Sequence, residues 1–296
     1  MDGVAPALVV DHGSPLSLGM IPLGRAFYKM SGSGNDFVFV DARTQPAGSL
    51  ATPEVVSAIC SRGTGIGADG IVFLEPSREA AVRLVYLNAD GSRADLCGNA
   101  TLCTARLSKE LGIVSDDEFA IETDCGVLGA RFRDGRPEID LKPVADWRPD
   151  AGLPLEAGER RMGFAMAGVP HLVVSVDDLA SVDVVGRGRP LRRYASLKAG
   201  ANVNFVQPAP DGSFRYRTYE RGVEAETLAC GTGAVAVAVL TTAWGLAGPG
   251  QVRMLTRSGR ELSVRLSGPA ATPSPSLCGE ARIVYSGHLG EVAGGV

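Results

Sequence analysis

VYLNADGSRADLCGNATLCTARL (residues 85–107) and YRTYERGVEAETLACGTGAVAVAVL (residues 216–240) are one passage written twice. Each runs from an apolar strand through a Gly-containing turn to a Cys-Gly pair and then into an apolar stretch of helical length. The match lays Cys97 over Cys230 at an offset of 133. Upstream, GIVFLEP (residues 70–76) lies over NVNFVQP (residues 202–208) at 132, and MSGSGNDFVFVD (residues 30–41) lies over MAGVPHLVVSVD (residues 166–177) at 136. Each match is short, but three in the same order at nearly one offset predict a duplicated fold.

Each half reads as a turn and strand, a helix, two strands, and a turn that launches a helix at the Cys. The later helices, near residues 100–111 and 234–246, are apolar enough to be buried, and a sheet wrapped around each would bury it. The expected fold class is α+β: two pseudo-symmetric domains, each a mixed sheet around a central helix, with a cleft between them. The Pro-rich stretch 142–161 marks the boundary, giving domains at 27–145 and 146–278. Residues 1–26 read as an N-terminal extension, with Met20 as an alternative start.

The chain has 296 residues, 45% hydrophobic and 21% charged, the balance of a folded globular protein. A net charge of -4 with no basic stripe argues against nucleic acid as a partner. The longest apolar stretch, residues 234–240, is far below the roughly 20 residues of a membrane-spanning helix. Six cysteines without an export signal point to the reducing cytoplasm rather than to a disulfide framework. With no C-x-x-C and three histidines far apart in sequence, no zinc site is expected. A homodimer is left open.

Duplication places equivalent positions around a pseudo-two-fold axis, so Cys97 and Cys230 can face each other across the cleft. Inverting an α-carbon needs one group to remove a proton from one face and a second to return it to the other. A thiol at a helix N-terminus is expected to have a lowered pKa, because unpaired N–H groups and the positive dipole end favour the thiolate. The bland alternative is that both are small buried hydrophobes, the reading preferred for Cys60, Cys103, Cys125 and Cys278. Gly98-Asn99 and Gly231-Thr232 offer bare amides where a carboxylate could be held and its enediolate stabilised, or they serve only as helix starts.

Asn35, in a Gly-rich turn, could reach a ligand with its amide. GIGADG (residues 65–70) fits G-x-G-x-x-G but precedes a strand rather than following one, so a dinucleotide site is rejected. His171 overlies Asn35 in the repeat, and Glu220-Arg221 nearly overlies Ala89-Asp90, which puts these turns at matching rims of the cleft. A structural histidine and a surface ion pair are the duller readings.

FYKMSGSGNDF, GIGADG, NADGS-x4-CGN, PH, NVNF and ERG-x5-LACGTG resemble the diaminopimelate epimerase family in order and spacing, from residue 27 to about 287. The resemblance implies two barrel-like domains closing over an amino acid with no cofactor and no metal. It implies that Cys97 and Cys230 are the acid/base pair, assisted by His171 and Glu220. It also implies substrate contacts from Asn35, Asn88, Asn202, Glu220 and Arg221, and from Gly98, Asn99, Gly231 and Thr232. A C-terminal strand at about 279–290 would return to the first domain.

Two departures bear on specificity: Val169 stands where the family usually has Asn, and Gly70 where some members have Gln. The expected activity is interconversion of L,L- and meso-diaminopimelate, a lysine and cell-wall precursor step. The rivals are a racemase of the same fold for another amino acid such as histidine, and a non-catalytic amino-acid-binding or redox protein.

Overall fold

A computed structural model of the chain describes residues 24–291. The first half contains β1 (Ala26–Gly32), β2 (Asn35–Asp41), α1 (Pro53–Cys60), β3 (Gly70–Glu75), β4 (Val82–Asn88), α2 (Gly98–Glu110), β5 (Glu118–Thr123), β6 (Gly126–Arg133) and β7 (Arg136–Asp140). The second contains β8 (Trp147–Arg148), β9 (Glu159–Ala167), β10 (Val169–Val176), α3 (Val184–Arg192), β11 (Asn202–Pro208), β12 (Phe214–Glu220), β13 (Ala225–Thr227), α4 (Gly231–Ala243), β14 (Gln251–Leu255), β15 (Glu261–Ser267) and β16 (Ser274–Gly279). The last strand, β17 (Arg282–His288), pairs antiparallel with β1.

The pairings repeat in the two halves. β1–β2 and β9–β10 are antiparallel hairpins, and β2–β3 and β10–β11 are parallel neighbours joined through α1 and α3. β3–β4 and β11–β12 are antiparallel. β4–β5 and β12–β14 are parallel again, now joined through α2 and α4. A parallel pair cannot be closed by a tight turn, so each half needs its two crossover helices. β17 flanks β1 as β8 flanks β9, and β7 pairs with β16 to fuse the halves into one seventeen-stranded sheet.

Periodicity explains which helix goes where. In α4 the residues from Ala234 to Leu240 are all buried, and a helix apolar on every side must be enclosed. It packs on β9, β10, β11, β15 and β16, strands far apart in the sheet, which therefore curves around it. α2 is enclosed in the same way by β1, β4, β7, β16 and β17. Thr104 and Thr241 are fully buried and satisfy their hydroxyls on the carbonyls of Ala100 and Val237, one turn back. β14 alternates, with Val252 and Met254 buried between exposed Gln251, Arg253 and Leu255, as a strand with one face in the core should.

One apolar core contains both central helices, while α1 and α3 each close a smaller outer core. The fold is α+β and internally repeated.

Two details differ from the sequence reading. The hairpin ladders set Gly32 opposite Asn35 and Ala167 opposite Val169, and the parallel ladders set Phe37 beside Gly70 and His171 beside Asn202. By register Asn35 therefore corresponds to Val169, and His171 to Phe37, not to Asn35. The first hairpin turns over two residues, Ser33 and Gly34, and the second over Gly168 alone, which shifts the register by one. Met30 faces Phe37 whereas Met166 faces Pro170, one position nearer the turn, so a superposition on the methionines slips by two. Two is the side-chain period of a strand, so all four still face one side.

The segment read as an extension also begins to fold before residue 27. Arg25 is buried, its guanidinium donates to the carbonyls of Asp41, Pro46 and Gln45, and β1 starts at Ala26. The rest of that reading, including Met20, lies outside the described residues.

Candidate active site

Cys97 and Cys230 are the N-cap residues of α2 and α4, with nearly the same backbone: φ -129, ψ 111 for Cys97 and φ -140, ψ 107 for Cys230. These are the extended values of an N-cap, and they aim each thiol at the amides of its own first turn. Gly233 N–H donates to Cys230 Sγ at 3.4 Å.

The two helix starts meet. A methyl added to Gly98 would lie 4.0 Å from Gly231 Cα, and one added to Gly231 would lie 3.8 Å from Gly98 Cα. Either methyl would lie 3.0 Å from Leu277 Cδ2, so the Leu277 side chain would have to shift to admit it, whereas the two backbones meet at ordinary van der Waals distance.

Asn99, buried, donates its amide to Asn35 Oδ1 at 2.7 Å, and Asn35 donates to Asp69 Oδ2 at 3.0 Å. Asn99 Oδ1 has no hydrogen-bond partner among the described residues, and it points toward Gly231. Asp69 also takes Asp36 N–H at 3.2 Å and Arg62 at 2.9 Å, so the first-half rim is a charged network. Asn88, at the end of β4, donates instead to Ser92 Oγ at 3.0 Å within its own turn.

On the second-half rim, His171 is fully buried and its Nε2 lies 3.0 Å from Thr232 Oγ1, which is 3.6 Å from Cys230 Sγ. Asn202 Oδ1 accepts Arg221 N–H at 2.8 Å, and the Arg221 guanidinium donates to Ala199 O at 2.9 Å. The structure thus gathers Asn35 with Asn99, His171 with Thr232 and Cys230, and Asn202 with Arg221. Asn204, Thr218, Asp69 and Tyr216, whose hydroxyl donates to Cys230 O at 2.9 Å, complete the site and were not singled out from the sequence. Asn204 carried a usable signal: it lies two residues from Asn202 on one strand and so faces the same side.

One electrostatic expectation is overturned. Burial pushes both thiols up to about 12, against the amides of their helix starts; the Glu220 carboxylate adds to the rise. Glu220 is itself raised by burial. His171 is driven down to about 3 by burial and by the Arg221 charge, and is neutral at pH 7.

The signs follow by linkage. Stability from the two thiols is present below their unfolded value and is lost as pH rises from about 9 to about 12. Stability from keeping His171 neutral is present above 6.5 and is lost as pH falls toward about 3. For catalysis through a thiolate, kcat/KM should rise about tenfold per pH unit between roughly pH 6 and 8.5. A rate profile flat over that window would mean that no thiol in the free protein titrates above it.

Residues 27–141 and 163–284 match the family model described as diaminopimelate epimerase. A diaminopimelate epimerase of Gemmatimonas aurantiaca is 52% identical over 275 residues, 89% of this chain and 99% of that protein. One of Aquifex aeolicus is 37% identical over 275 residues, 90% of this chain and 98% of that one. Among solved structures, a phenazine biosynthesis protein of the PhzF family from Bacillus anthracis superposes with a TM-score of 0.70 at 14% identity, covering 90% of this chain and 98% of that one. At that identity the likeness is one of fold.

Proposed function

The chain belongs to the diaminopimelate epimerase family, and from that premise we propose that it interconverts L,L- and meso-diaminopimelate by passing the α-proton between Cys97 and Cys230. The enzyme is an isomerase, a PLP-independent epimerase. The observation that carries the residue assignment is the meeting of two helix starts, each capped by a cysteine in the same backbone conformation.

A carboxylate seated on the amides of Gly98, Asn99, Gly231 and Thr232 would lie at the positive ends of both helices. There the negative charge that develops as the α-proton leaves is stabilised. The free Oδ1 of Asn99 is an acceptor for the substrate ammonium. That ammonium brings a positive charge beside two sulfurs that burial otherwise keeps protonated, and so favours ionisation of one of them.

One sulfur, as thiolate, removes the proton and the other, as thiol, delivers one to the opposite face. Glu220 and His171 flank the pair, and Asn35, Asn88, Asn202 and Arg221 line the rims where the distal amino-acid end would be held. We place the enzyme in the cytoplasm: the described cysteines are unpaired, as a reducing compartment keeps them. Among the described residues no helix is long and apolar enough to cross a membrane.

The histidine-racemase alternative rests on Val169, whose side chain cannot supply the hydrogen bond of the usual Asn. Incubation with a panel of amino acids in D₂O decides between them. Exchange at the α-carbon of diaminopimelate is the expected result, and exchange of another amino acid with none for diaminopimelate would reassign the substrate.

A further inference from the structure

We propose that Asn204 is a positioning residue that fixes His171 as the Nε2–H tautomer, so that the Thr232 hydroxyl is left to donate its proton to Cys230 Sγ. The inference deepens the epimerase reading for this site.

Leu172 fixes one end of the Asn204 side chain. Its carbonyl can only accept, and it lies 3.0 Å from Asn204 Nδ2. At the other end, Asn204 Oδ1 takes the Thr218 hydroxyl at 2.8 Å. Turning the amide over would set two acceptors against each other at Leu172, so the NH₂ end is fixed. That NH₂ group also lies 3.1 Å from His171 Nδ1, which must therefore accept.

Asn204 and His171 are both fully buried, and a neutral imidazole that accepts at Nδ1 carries its proton at Nε2. Nε2–H then donates to Thr232 Oγ1 at 3.0 Å, and the hydroxyl proton is free to turn to Sγ at 3.6 Å. Gly233 makes room for the chain, because a methyl there would lie 2.4 Å from Asn204 Oδ1. In this arrangement His171 is a hydrogen-bond donor held in place, and Cys230 has a side-chain donor to its thiolate besides Gly233 N–H.

The test uses ¹⁵N NMR on the full chain with His12→Gln and His288→Gln, so that His171 gives the only imidazole signal. At pH 7 the expected spectrum has Nδ1 unprotonated and Nε2 protonated; a proton on Nδ1 overturns the proposal. Asn204→Asp should move the proton to Nδ1, lower kcat by about tenfold and leave KM within about twofold. An Asp variant that keeps both the Nε2–H signal and full kcat also overturns it.

Should that variant not fold, Thr232→Val and Thr232→Ser carry the same question: Val should lose about tenfold in kcat and Ser should recover most of it. Equal rates for Val and Ser count against the chain. The spectrum is read without substrate, so a wild-type protein that turns over no diaminopimelate would sink the epimerase reading while the tautomer is still decided.

Discussion

Cys97→Ala is expected to lower the rate of epimerisation by at least about a thousandfold, and Cys230→Ala to do the same. In the proposed mechanism each thiol serves one face of the stereocentre, and a methyl group can neither take nor return a proton. The two losses should not add in the double variant, because the pair acts as one unit. Neither change should unfold the protein, since replacing an N-cap costs about 1 kcal/mol. Both cysteines cap buried helices that hold their place through packing.

The measurement is the approach to equilibrium between L,L- and meso-diaminopimelate by chiral chromatography, with thermal unfolding followed in parallel. A Cys97→Ala protein of unchanged activity would end the two-thiol scheme. A wild-type protein that binds diaminopimelate without converting it would favour a binding or redox role instead.

The second large effect concerns stability. Gly65 follows α1, and a methyl added to it would lie 2.1 Å from Ala58 O and 2.6 Å from Ile59 O. Both are backbone oxygens at the end of α1, and the loop is tied to that end by Ile66 N–H to Ile59 O at 2.9 Å and Ala68 N–H to Cys60 O at 3.0 Å. No side chain can swing aside to relieve the overlap. Gly65→Ala should therefore destabilise the protein by about 3 kcal/mol or more, lowering Tm by roughly 6 °C or more.

Gly63 is the control, because it has φ +96 but open space around its Cα. Gly63→Ala carries only backbone strain, about 1 kcal/mol. Equal Tm values for the two variants would contradict the steric account. Because Asp69 ends this loop and receives Asn35, Gly65→Ala should also weaken the rim of the site.

Sequence order carried the duplication, because each half must bury one apolar helix inside one sheet, and both requirements write themselves into local patterns. The position of Cys97 and Cys230 at two helix starts was legible for the same reason, each being fixed by its own local sequence. What local pattern could not carry is what the sulfurs face. Their upward shift comes from burial and from Glu220, groups brought together only when the halves close.

The glycines of GIGADG mimic a phosphate loop, yet here Gly65 packs against the end of α1 and Asp69 ties down Asn35. Motif spacing could not separate those uses. The register of His171 was misread because the second hairpin turn is one residue shorter and Met166 is not the ladder equivalent of Met30, two one-residue offsets that leave little mark in an apolar alignment.

β17 follows every other described strand, yet it lies against β1, the first of them, whereas β8 precedes the strand that it flanks. A nascent chain emerging from the ribosome therefore cannot seal its first lobe until the strands of the second lobe and then β17 have been translated. The usual vectorial order, in which the leading portion matures while the remainder is still being synthesised, is inverted in this protein.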